Sequence, residues 1–128
     1  MNNHKEWLNQ ADYDMETADV MFANGRYFYA VFMCHLSIEK ALKGLYTQVT
    51  NDVPPKTHNL LYLLDKTGKK PELHFEKFIT RLNTASIATR YPDELAKIQS
   101  VYTKEVTTSL IANSKDVLQW IKTQLQKQ

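Results

Sequence analysis

The chain has 128 residues, 43% of them hydrophobic and 23% charged, with 16 Lys+Arg against 14 Asp+Glu for a net charge of +2. This is a globular composition with room for one domain, residues 1–128, and no second one. A charge excess this small excludes any argument for nucleic acid from electrostatic balance alone. One cysteine, Cys34, lies in an apolar run and reads as a small buried hydrophobe rather than half of an intramolecular disulfide. The N-terminal stretch MNNHKEWLNQ lacks the apolar core of a signal peptide, and no run of 18 apolar residues occurs. A cytoplasmic protein that does not enter a membrane is the expectation.

Three glycines and four prolines punctuate the chain in clusters, at Asn24-Gly25, Asp52-Val53-Pro54-Pro55, Gly68 to Pro71 and Tyr91-Pro92-Asp93. No segment alternates with the period of a strand. The spacing predicts an all-α chain with helices near 4–23, 27–49, 58–66, 72–89 and 101–126.

In the first helix Trp7, Leu8, Ala11, Met15, Ala18, Met21 and Phe22 share one arc, and Asp14 falls inside it. A carboxylate there either finds a partner across a helix seam or sits at an edge in water, since an unpaired buried charge is costly. The second helix is apolar around most of its circumference, through Val31, Cys34, Ile38, Ala41, Leu42, Leu45 and Val49 with Phe28, Phe32 and Tyr46 beside them. Such a helix belongs at the centre of a bundle. His35, Glu39 and Lys43 recur on it at i, i+4 and i+8 and form one polar ridge. The plain reading is a helical Glu–Lys pair with a satisfied interior histidine; the functional reading is the wall of a site.

Thr57 is a candidate N-cap for the third helix, which would put His58 and Asn59 in its first turn, where anions are favoured. The fourth helix packs through Phe75, Phe78, Ile79, Leu82 and Ala85 and stops at Arg90-Tyr91-Pro92, because proline disfavours helical geometry in the residue before it. The last presents Tyr102, Val106, Leu110, Val117, Trp120, Ile121 and Leu125, with Asn113 expected on the buried side. Met15, Met21 and Met33 read as core filler. Lys66, Lys69, Lys70 and Lys77 make a loose basic patch around Gly68, either a solvated face or a footprint for phosphate.

Taken in order, DYDMETADVMFANGRYFYAVFMCHLSIEKALKGLY, then KTHNLLYLL, then RYPD, then YTKEV, the chain resembles the HEPN domain family, helical domains associated with nucleotide binding. The likeness covers nearly the whole chain. It implies an up-and-down four-helix bundle with an additional short helix, and a homodimer. It also implies that Asp14, His35, Glu39, Lys43, His58, Arg90, Tyr91 and Asp93 line a shared polar cleft, with Asp14 paired to a lysine or to Arg90.

Many members of the family are metal-independent ribonucleases, often toxins paired with a small nucleotidyltransferase, in which an arginine is followed after four to six residues by a histidine. This chain departs from that pattern: eight residues separate Arg26 from His35, and no histidine follows Arg81 or Arg90. Arg90 could still hold phosphate, with His58 meeting it through space. The resemblance therefore implies a nucleotide-binding module or a partner of a minimal nucleotidyltransferase, as in a toxin–antitoxin pair, with nucleotide or RNA as ligand and Arg90, Lys43 and the start of the third helix holding phosphate. A ribonuclease toxin with a rearranged site and a non-catalytic dimerisation domain are the alternatives. No phosphate-cradling glycine loop, dinucleotide-binding turn or metal-ligand spacing occurs, so no cofactor or metal is expected.

Overall fold

A computed structural model describes residues 3–126, which form six helices and no strand. They are α1 (His4–Ala23), α2 (Tyr27–Thr50), α3 (Leu60–Thr67), α4 (Leu73–Arg90), α5 (Leu95–Val101) and α6 (Lys104–Gln126). No described helix is long and apolar enough to cross a membrane.

The first two helices form an antiparallel pair. Gly25 adopts φ +74, a left-handed conformation that costs glycine little, and lets the chain reverse within three residues. Small side chains at Ala11 and Ala18 let α1 lie close against α2, and the buried Ser37 hydroxyl donates to the Ala11 carbonyl at 2.7 Å. At the far end of the pair α2 presents Gly44, where an added Cβ would stand 3.0 Å from Trp7 Cβ and 3.2 Å from the His4 carbonyl. Glycine inside a helix is unfavourable; here it is what permits the approach.

As its apolar circumference predicts, α2 is central, packing against α1, α3, α4 and α6. Ile38, Leu42 and Leu45 are fully buried on it and meet Leu60, Leu63, Ile79, Leu82, Leu110 and Ile121 in one core. Two ion pairs, the exposed Lys115–Asp19 at 2.9 Å and the half-buried Lys122–Asp12 at 2.7 Å, fasten the outer face of α6 to α1.

Five expectations need correction. The third helix begins at Leu60, not 58: its N-cap is Asn59, whose side chain accepts from the Tyr62 N–H at 3.1 Å, while Thr57 Oγ1 accepts from the Asn59 N–H. Residues 95–101 form α5, which buries only Ile98. The last helix consequently starts at Lys104 rather than 101, with Thr103 Oγ1 accepting from the Val106 N–H at 3.2 Å. Asn113 is exposed rather than on the buried side, and Val49 likewise reaches solvent.

Candidate functional site

The polar ridge of α2 is buried, and it grips the loop ahead of α3. Glu39 is 3% exposed. One of its oxygens, Oε1, accepts from His58 Nδ1 at 2.8 Å; the other, Oε2, accepts from Lys43 Nζ at 3.1 Å. A carboxylate only accepts, so the His58 proton sits on Nδ1 and, in the neutral ring, Nε2 is left as a base. The imidazole is 61% exposed. His58 is thus held from below by a buried carboxylate while its free side meets solvent.

His35 grips the same residue by its backbone. Its Nε2–H donates to the His58 carbonyl at 3.1 Å, and its Nδ1, buried, has no hydrogen-bond partner. Burial pushes the His35 pKa down from 6.5 to about 4, against the pull of Glu39, so the ring is neutral at physiological pH. His35 is a positioning residue, one helical turn from Glu39.

Arg90, the last residue of α4, lies with its guanidinium carbon 5.0 Å from the centre of the Phe32 ring, one turn before His35 on α2. Both Arg90 and His58 are near enough to act on the ionisation of His35. Among the described residues the Arg90 guanidinium makes no hydrogen bond or ion pair, and it is only half-buried. A stacked guanidinium with its donors unspent is suited to a planar or phosphoryl anion.

His35, Glu39, Lys43, His58 and Arg90 therefore converge, and Asp14, Tyr91 and Asp93 stand apart from them. Asp14 is buried in the α1–α2 seam, with Oδ2 2.9 Å from Lys40 Nζ in an ion pair without the alignment of a hydrogen bond. Lys40 follows Glu39 directly and so occupies an adjoining face of α2. Tyr91, 75% exposed, and Asp93 line a separate cleft of about 530 Å³ between α4 and α5, with Ile87, Pro92, Ile98 and Val101. Among the described residues no group of three or more His, Cys, Asp or Glu is placed to hold a metal ion.

Two proposed phosphate contacts are otherwise engaged. Lys43 is buried, its ammonium bound to Glu39 and 5.7 Å from the Trp7 ring centre. At the start of α3 the Leu60 N–H goes to Asn83 Oδ1 at 2.8 Å and the Tyr62 N–H to Asn59. The expected pairing of Asp14 with a lysine holds, the lysine being Lys40, while sequence reasoning passed over Phe32 as the platform for Arg90; the one available signal for Phe32 was its place three residues before His35.

The model of the HEPN domain family matches residues 4–124. The chain belongs to the HEPN domain family. This HEPN protein is similar in structure to TT1696 from Thermus thermophilus, with TM-score 0.78 and 23% identity over 97% of this chain and 99% of the other. It is also similar to ST0689, an archaeal HEPN homologue, with TM-score 0.77 and 25% identity over 98% and 99% of the two chains. No curated protein matches it.

Proposed function

We propose that this HEPN protein binds the phosphate of a nucleotide at the corner formed by Arg90 and His58. The observation that carries the reading is the pairing of an unspent, ring-stacked guanidinium with an exposed imidazole whose orientation a buried carboxylate fixes. Arg90 supplies paired donors for phosphoryl oxygens. The Glu39–Lys43 pair beneath supplies a rigid floor. Calorimetric titration with ATP tests this: Arg90→Ala should weaken binding at least about tenfold, the loss of one charged hydrogen-bonding partner, while circular dichroism stays unchanged. Equal binding by wild type and variant would refute it.

The Glu39–His58 pair also favours a second reading, metal-independent RNA cleavage. His58 Nε2 would take the proton of an attacking 2′-hydroxyl, Arg90 would hold the phosphoryl oxygens, and the 5′ oxygen would leave with a proton from water. RNA cleavage in chelator, abolished by His58→Ala, is the outcome this reading requires. A homodimer and a small nucleotidyltransferase partner rest on family membership. The homodimer has the added support of exposed Ile87, Tyr91 and Val101 around the α4–α5 cleft, and sedimentation at two concentrations checks it.

A further inference from the structure

A second recess, of about 440 Å³, opens where the α1–α2 turn meets α5 and the start of α6. That volume is in the range of small-molecule sites. Tyr27, Tyr29 and Tyr102 form its aromatic wall, with Arg26 and Gln99 beside them, and no acidic residue lines it. The Arg26 guanidinium, like that of Arg90, has no hydrogen bond or ion pair among the described residues. Tyr29 is 49% exposed, its ring tilted 46° to that of Phe28 with 4.5 Å between centres, so about half of the side chain is open to a ligand.

The guanidinium with no opposing carboxylate favours an anion, and the phenol rings beside it offer stacking surface for a flat ring. The acidic lip of the α4–α5 cleft, with Asp93 and Glu94, is different in kind. Position adds a constraint. Tyr29 and Phe32 are three residues apart and share a face of α2, and Arg26 precedes Phe32 by six residues, about 9 Å along the helix at 1.5 Å per residue. At a rise of about 3.4 Å per stacked nucleotide, two to three nucleotides cover that distance.

We propose that this recess is a second subsite, taking one nucleotide unit of a short single strand whose neighbouring phosphates reach Arg90. The proposal rests on the phosphate reading of the Arg90–His58 corner and deepens it: the ligand is an oligonucleotide rather than a lone nucleotide. Two linked sites gain affinity without new contacts because the second encounter is intramolecular.

The test compares AMP with a 2′-O-methyl oligoadenylate tetramer, which lacks the free 2′-hydroxyl that cleavage needs, by amide-resolved NMR titration. The expected result is tetramer affinity at least about tenfold above AMP, with shifts at residues 25–29 and 99–103 as well as 35–39 and 58. Arg26→Ala and Tyr29→Ala should each lower tetramer affinity about tenfold, the order of one lost base-stacking contact, and leave AMP binding at Arg90 unchanged. Both residues are exposed, so the fold tolerates the changes. A tetramer that binds no tighter than AMP, or binds Arg26→Ala as it binds wild type, overturns the subsite. Tetramer shifts confined to residues 25–29 and 99–103 would uphold the recess and overturn the Arg90–His58 reading.

Discussion

Two carboxylates are buried, Asp14 on α1 and Glu39 on α2, and the chain treats them differently. Asp14 meets Lys40 across the α1–α2 seam and reaches no further. Glu39 meets Lys43 with one oxygen and sends the other to His58, which carries the effect of that charge out to solvent. Burial of a charge with its counter-ion is thus insufficient to mark a site, since both pairs have it; what distinguishes the second is an exposed group whose orientation the buried charge controls.

The sharpest way to break the comparison is Glu39→Ala. It strands Lys43 in the interior and frees His58, and should destabilise by about 3–5 kcal/mol, the usual cost of removing one member of a buried pair. Urea denaturation measures it. Acid gives the next largest effect. His35 is held neutral in the fold with a pKa of about 4 against 6.5, so the unfolded chain binds more protons in that interval. The stability this represents is full above pH 6.5 and is lost as pH falls to 4, by on the order of 3 kcal/mol. Thermal melts across that range should show a slope in wild type that flattens in His35→Gln.

Gly44→Ala acts on the seam by bringing a Cβ to 3.0 Å from Trp7, and overpacking should cost about 1–3 kcal/mol in the same denaturation assay without altering nucleotide affinity. Asp14→Ala should cost about 1–2 kcal/mol, below the Glu39 value because Lys40 can reach water, and should also leave affinity intact. Loss of binding in Asp14→Ala would erase the distinction between the two pairs. Lys115→Ala, at the exposed α1–α6 ion pair, should change stability by no more than about 0.5 kcal/mol.

How far the sequence foretold this depends on the range of the interaction involved. The first two helices were legible almost to the residue because Asn24-Gly25 is a local stop and the apolar arcs on either side are long. The seven residues of α5 bury one side chain, too few to show a period. Thr57 and Asn59 are both capping residues; Asn59 takes the role while the Leu60 N–H is bound by Asn83 from α4, a contact 23 positions away in sequence. The ridge at 35, 39 and 43 was visible as spacing, and its meeting with His58 and Arg90 was implied by the HEPN resemblance. That Lys43 is sealed under Trp7 is a tertiary fact, as is the turn of Tyr91 and Asp93 toward the α4–α5 cleft, while Asp14 meets a lysine, Lys40, as the resemblance implied.

The central claim is that Glu39 fixes His58 so that its free nitrogen and Arg90 face a common ligand. Long-range proton–nitrogen NMR of the imidazoles, recorded at neutral pH with and without ATP, tests it most directly. The account predicts the Nδ1–H tautomer for His58 in the free protein, and a ligand-induced shift of its Nε2 that disappears in Arg90→Ala. A His58 ring protonated on Nε2 alone, or one indifferent to ATP, would contradict it.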